Sequence, residues 1–190
     1  MKLALFGGKK INRKSFKYNT IGKKEINSVI QIMKNGELSG FVAAPHDNFF
    51  GGKWVKKLES EFCKFFGMKY AVAVNSATSA LYCMLMSSGI EPGDEVITSP
   101  YTMHATASSI LQCGGVPVFA DIESKTYGLD PLSVKKKISN KTKAILAVNI
   151  FGHGAELQKL KRIAKKHKIL LLEDNSQAPA AKIENNKYTG

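Results

Sequence analysis

Apolar residues recur at three- and four-residue intervals from Gly22 to Lys34 (Ile26, Val29, Ile30, Met33), and Gly36 follows as a stop. That spacing predicts an amphipathic helix. Trp54 to Phe66 repeats the period, with Val55, Leu58, Phe62 and Phe65 on one face and Gly67 at the end. Between them, Leu38 to Gly52 carries glycines and aromatics without periodicity. It reads either as a loop with a close contact to make or as a hydrophobic plug under a flexible turn. Beyond Gly67 the pattern alternates. Strands are predicted at Tyr70 to Val74, Glu95 to Thr98, Val116 to Asp121, Lys143 to Ile150 and Lys168 to Glu173. Helices are predicted between them: Thr78 to Ser88 closed by Gly89, Thr102 to Cys113 closed by Gly114-Gly115, Pro131 to Ile138, and Glu156 to His167. Asp130 and Pro131 are the N-cap and first-turn proline of the third of these.

Repeated strand–helix units imply an α/β fold, a mostly parallel sheet with helices on both faces and right-handed crossovers. Residues 1–21 are assigned to a basic, glycine-containing N-terminal arm, extended over 1–18, and residues 22–190 to a single domain. Ala180 to Gly190 reads as a hairpin turning at Asn185-Asn186. A parallel sheet whose final residues begin a new hairpin looks interrupted, so the chain is expected to be the front portion of a longer protein.

Composition narrows the class. With 190 residues, 44% apolar and 23% charged, the chain can bury one substantial core of the soluble globular kind. No apolar run is long enough to span a membrane, and the start lacks a signal-peptide pattern. Cys63, Cys83 and Cys113 are far apart and form no CxxC pair. They are read as buried structural thiols in a reducing cytoplasm, not as a disulfide framework or zinc site. The formal charge of +13 suggests a nucleic-acid footprint at first sight. The clusters at Lys135 to Lys137 and Lys159 to Lys168, however, fall on amphipathic helices where lysine coats the solvent face. No zinc-finger spacing or RNP-like motif accompanies them. A nucleic-acid partner is therefore not expected, and attraction for anionic substrates accounts for the charge as well.

The chemistry gathers at strand ends. Ile169 to Ala178 reads ILLLEDNSQA, an apolar run that ends abruptly in polar residues, as a buried parallel strand does. Ligands of open α/β sheets sit outside such carboxyl ends. Asp174 either caps the following turn or meets a cationic ligand there. After Tyr70 to Val74, the run Asn75-Ser76-Ala77-Thr78-Ser79 opens a helix, and its free N–H groups and dipole make it a plausible phosphate cradle, although Ser and Thr are also ordinary caps. The next strand ends in Ser99-Pro100-Tyr101-Thr102-Met103-His104, which brings flat and polar groups to the same edge. The four histidines have no metal-ligand spacing, and no GxGxxG, GxxxxGK[ST] or GxSxG occurs. A phosphate site, a flat contact and a carboxylate fit a planar, cationic, phosphorylated ring, and pyridoxal phosphate is that molecule.

Five segments in order carry a resemblance: AVAVNSATSAL, EPGDEVITSPYTMHATASSIL, GGVPVFADIE, KTKAILAVNIFG and LLLEDNSQAPAAKI. Through them the chain resembles the DegT/DnrJ/EryC1/StrS sugar aminotransferases of fold type I from about Gly22 to Gly190. The resemblance implies that the Ala77 backbone and the Thr78 backbone and hydroxyl hold the cofactor phosphate. It also implies that Asp174 pairs with the pyridine nitrogen and that Gln177 lies near the ring hydroxyl. Met103 stands where the family often has a stacking aromatic, and His104 shares the task of covering the ring. Asn149 stands where many members have a histidine, with its role open. The Leu38 to Gly52 loop corresponds to a segment that approaches the active site, across a homodimer interface. The implied activity is transfer of an amino group from glutamate or glutamine to a nucleotide-linked keto sugar or a cyclitol. Some members carry histidine in place of the Schiff-base lysine and dehydrate sugars. That lysine is expected beyond Gly190, with Lys182 and Lys187 too early, and the small C-terminal domain is not in the chain. The 190 residues are expected to be inactive alone. A non-catalytic binding or regulatory module is the remaining alternative.

Overall fold

The computed structural model describes residues 2–9, 19–183 and 186–190. Residues 10–18 of the expected arm and the first residue of the expected Asn185-Asn186 turn lie outside them; Lys182 and Tyr188, on either side of that turn, pair antiparallel. The chain divides into two compact units, Met1–Lys57 and Leu58–Gly190.

In the first unit, Ala4–Phe6 make one 3-10 turn, and helix α1 runs over Lys23–Asn35. The Glu25 carboxylate accepts the Gly22 N–H at 2.7 Å, and backbone N–H bonds, its own and that of Gly22, hold its carboxyl below the usual range. Gly36 ends the helix in the left-handed conformation, φ +70°, where glycine has no Cβ to clash. Ile26, Val29, Ile30 and Met33 do share one stripe, yet remain between 44% and 63% exposed. Helix α2 follows over Lys53–Phe66 and continues into the second unit. The loop before it makes a close contact: a Cβ on either Gly40 or Gly52 would stand 2.8 Å from the other's Cα. Of the two readings of that loop, the structure favours the tight backbone approach.

The second unit continues with α3 (Ala77–Ser87), β1 (Glu95–Thr98), α4 (His104–Gln112), β2 (Val116–Phe119), α5 (Pro131–Lys137), β3 (Thr142–Val148), α6 (Leu157–His167) and β4 (Leu170–Asp174). The four strands form one parallel sheet in the order β2-β1-β3-β4. Successive side chains of a strand alternate faces, and the core accordingly splits in two. Val96, Ala144 and Leu146 pack with Leu81 and Leu85 of α3 and Ile110 of α4, with Leu172 against them. Ile97, Ile145 and Ala147 pack with Val134 of α5 and Leu157, Leu160 and Ile163 of α6, with Leu171 against them. Lys159, Lys161, Arg162, Lys165 and Lys166 occupy the exposed side of α6, as an amphipathic helix requires.

Three expectations need correction. Tyr70 to Val74 is not a strand: no ladder partner reaches it among the described residues, and Tyr70 and Val72 are 76% and 81% exposed. Alternation of apolar residues specifies a strand only where a neighbour completes its hydrogen bonds. Strand β4 is paired on one side only, so Leu170 is exposed and Leu171 and Leu172 are only partly buried, although a buried strand was expected. Of the thiols, Cys113 alone is buried, with Cys63 half-buried and Cys83 exposed.

Burial pushes the Cys113 thiol above its usual range, with neighbouring Cys83 adding to the shift. Since the thiolate is the reactive form, Cys83 is expected to alkylate promptly with iodoacetamide at pH 8, and Cys113 only after unfolding. Equal rates at the two sites would show this packing to be wrong. At the start of α5, Asp130 accepts the Leu132 N–H at 2.9 Å and the Ser133 N–H at 3.3 Å, with Pro131 in the first turn. Asp130→Ala is expected to cost about 0.5–2 kcal/mol, read as a lower urea midpoint at unchanged slope. Among the described residues, no helix is long and apolar enough to cross a membrane.

Candidate functional site

Strand β4 ends at Asp174, paired in register with Val148. The strand alternation puts Asp174 on the α3–α4 side of the sheet, in line with Leu172. Its side chain is nearly enclosed, with 6% of the residue exposed. One carboxylate oxygen accepts the Thr106 hydroxyl at 3.1 Å, and that hydroxyl also lies 3.0 Å from the Thr102 hydroxyl. The other oxygen accepts the Ser176 hydroxyl at 2.7 Å and the Ser176 N–H at 3.2 Å. Among the described residues the ion pairs are Lys64–Glu61 and Lys159–Glu156, so no cation faces Asp174. A carboxylate taken out of water is costly unless a positive charge meets it. Here the hydrogen-bonding capacity is largely met and the charge is not.

Asp174 lines a cavity of about 320 Å³ together with Ala77, Met84, Phe66 and Ser176. Ala77 is the first residue of α3. The Ser76 side chain caps that helix by accepting the Ser79 N–H at 3.1 Å, and Ala80 bonds back to the Ser76 carbonyl at 3.0 Å. The N–H groups of Ala77 and Thr78 therefore remain without an acceptor among the described residues. With the helix dipole behind them, they form a small anion-binding end. Local sequence explains why: Asn75 accepts the Ser79 hydroxyl at 2.7 Å, so the polar residues of this junction tie up one another and leave those two donors free.

Met103 is the N-cap residue of α4 and is 59% exposed, and His104 opens the helix, also exposed. Thr106, one turn further along, is the residue that reaches Asp174. The same helix supports the carboxylate through Thr106, whereas neither Met103 nor His104 lines the cavity that Asp174 shares with Ala77. Gln177 is exposed; its side-chain oxygen accepts the Phe151 N–H at 3.4 Å, and its carbonyl accepts the Gly152 N–H at 3.0 Å. It is joined to the exit of β3, not to Asp174. Sequence reading passed over Thr106, although Thr102 and Thr106 at helical i,i+4 spacing are a signal of paired hydroxyls. No group of three or more metal-binding side chains occurs among the described residues.

A carboxylate with no cation among the described residues, in a cavity it shares with Ala77 at a helix end, suits a ligand with a cationic ring nitrogen and a phosphate. Comparison with known proteins points the same way. The profile of the DegT/DnrJ/EryC1/StrS aminotransferase family matches residues 20–190. The chain is 40% identical over 158 residues to the spore coat polysaccharide biosynthesis protein SpsC of Bacillus subtilis, covering 83% of this chain and 38% of that protein. It is 38% identical over 136 residues to a GDP-perosamine synthase of Vibrio cholerae, covering 72% of this chain and 37% of that protein. Among solved structures, GDP-4-keto-6-deoxy-D-mannose-3-dehydratase of E. coli with bound hydrated PLP superposes with a TM-score of 0.79 at 29% identity, over 90% of this chain and 43% of that one. The chain thus spans about two fifths of the length of the relatives it matches. From the family match over nearly its whole length, the chain belongs to the DegT/DnrJ/EryC1/StrS aminotransferase family, whose members depend on pyridoxal phosphate.

Proposed function

We propose that this chain is the cofactor-binding portion of an enzyme that transfers an amino group from glutamate or glutamine to a keto sugar, nucleotide-linked or a cyclitol. The same reading takes the enzyme to be a cytoplasmic homodimer, with residues 1–21 as an arm and 22–190 in the large domain. The observation that carries the reading is the enclosed Asp174 carboxylate, without a cationic partner among the described residues and sharing a cavity with the helix end at Ala77.

When bound, the cofactor supplies an electron-withdrawing ring that takes up the electron pair left as the donor loses its α-proton. Asp174 holds a proton on the ring nitrogen, and Thr106 and Ser176 orient its two oxygens for that task. The Ala77 and Thr78 N–H groups, with the Thr78 hydroxyl, hold the phosphate. Met103 and His104 cover the ring; a thioether shields a π face more loosely than an aromatic does. Gln177 is assigned to the ring hydroxyl, which requires its amide to leave the Phe151 N–H. The Schiff-base lysine is assigned to neither Lys182 nor Lys187.

A second reading, sugar dehydration, is supported by the likeness to the E. coli dehydratase. Incubation of the natural protein with pyridoxal phosphate, borohydride reduction and peptide mass mapping separates the two. A pyridoxyl group on one lysine supports transamination. Retained cofactor without a covalent adduct supports dehydration. No cofactor retention overturns both.

A further inference from the structure

Asn149 follows β3 directly and is fully buried. Its side-chain amide N–H groups donate to a Glu173 carboxylate oxygen at 3.0 Å and to the Asn175 side-chain oxygen at 3.1 Å. Its own side-chain oxygen accepts the Ala155 N–H at 2.9 Å, and its backbone N–H donates to the Asp174 carbonyl at 2.9 Å. Three consecutive residues, Glu173, Asp174 and Asn175, are thus gripped by one side chain and its peptide. Both amide protons are used within the protein, so this side chain has no donor left for a ligand.

The grip comes from the other side of the sheet. Residues 145 and 147 of β3 and Leu171 of β4 pack against α5 and α6, and Asn149 and Glu173 continue that register. Asp174 faces the α3–α4 layer. A side chain on one face therefore holds the two neighbours of the carboxylate presented on the other, which sets the pitch of the strand end carrying it. The partners are themselves anchored: the same Glu173 oxygen accepts the Gly190 N–H at 2.9 Å, and the Asn175 amide donates to the Thr189 carbonyl at 3.0 Å.

We propose that Asn149 is a positioning residue for the cofactor, acting through Glu173 and Asn175 to aim Asp174 at the ring nitrogen; this rests on the pyridoxal-phosphate reading above. An amide suits the task. It offers two donors and an acceptor at once and does not titrate, whereas a neutral imidazole offers only one donor. Glu173 is the titratable group bonded to it.

The test is binding of pyridoxamine phosphate to the purified protein, followed by fluorescence from pH 5.5 to 8.5, with circular dichroism as a check on folding. Asn149→Asp keeps size and the acceptor for Ala155 but loses both donors and places a like charge beside Glu173. It is expected to weaken binding about 10–100-fold with secondary structure retained. Asn149→His restores two donors only as imidazolium, and then without an acceptor for Ala155, so its affinity is expected to recover in part below about pH 6 and fall above it. The wild-type and Asn149→His profiles are therefore expected to diverge as pH rises. Wild-type affinity in Asn149→Asp, or parallel pH profiles for wild type and Asn149→His, overturns the positioning role and leaves the cofactor site standing. Absence of binding by the wild type overturns both readings.

Discussion

Replacing Asp174 with asparagine is expected to reduce turnover of the enzyme by about 10²–10³-fold, the loss typical of removing a group aimed at charge in the reaction. The amide is nearly isosteric, and its oxygen still accepts one of the donors now held, so the strand end stays in place. It brings no negative charge to the ring nitrogen. In the unliganded protein Asp174, at 6% exposure, accepts the Thr106 hydroxyl and the Ser176 hydroxyl and N–H. An amide there gives up part of that set, and a hydrogen bond to a charged group contributes about 1.5–3 kcal/mol. The melting temperature without cofactor is therefore expected to fall modestly, while cofactor affinity and turnover fall steeply. A lower melting temperature with undiminished cofactor affinity would make Asp174 a structural residue and remove the basis for the proposed function.

What periodicity revealed, and what it missed, follows from how each residue earns its place. Helices α5 and α6 were legible because Asp130 and Pro131 mark a start and because leucines three apart on a lysine-rich helix can face only one way. Asp174 was legible for a comparable reason: an apolar run that stops at a charge marks a strand end. Tyr70 to Val74 misled because its alternation is a local property, whereas a ladder needs a second strand that local pattern does not supply. The free N–H groups of Ala77 and Thr78 could be anticipated from a run of small hydroxyl residues before a helix. Thr106 and Asn149 could not be read with the same ease. Their roles depend on which strands and helices become neighbours: Thr106 lies 68 residues from its carboxylate partner, and Asn149 lies 24 from Glu173. Sequence spacing carries the supports within one element; the supports between elements appear only with the sheet order.

The largest effect on stability is expected at Leu160. It is fully buried in the layer where α6 meets Ile145 and Ala147 of the sheet. Leu160→Ala removes its contacts and leaves a cavity in packing that relaxes only in part, which costs about 2–5 kcal/mol. For a chain of this size that corresponds to a fall in melting temperature of roughly 4–20 °C. The adjacent Lys161 is exposed, and Lys161→Ala is expected to change stability by less than about 0.5 kcal/mol. The pair of variants tests the direction of the helix as well as its burial, because one step along α6 turns a side chain by about 100°. A small loss at Leu160 would mean that α6 does not cover the sheet. A large loss at Lys161 would mean that its lysine face, read here as a solvated coat, packs against something else, and the charge of that face would then need a partner to explain it.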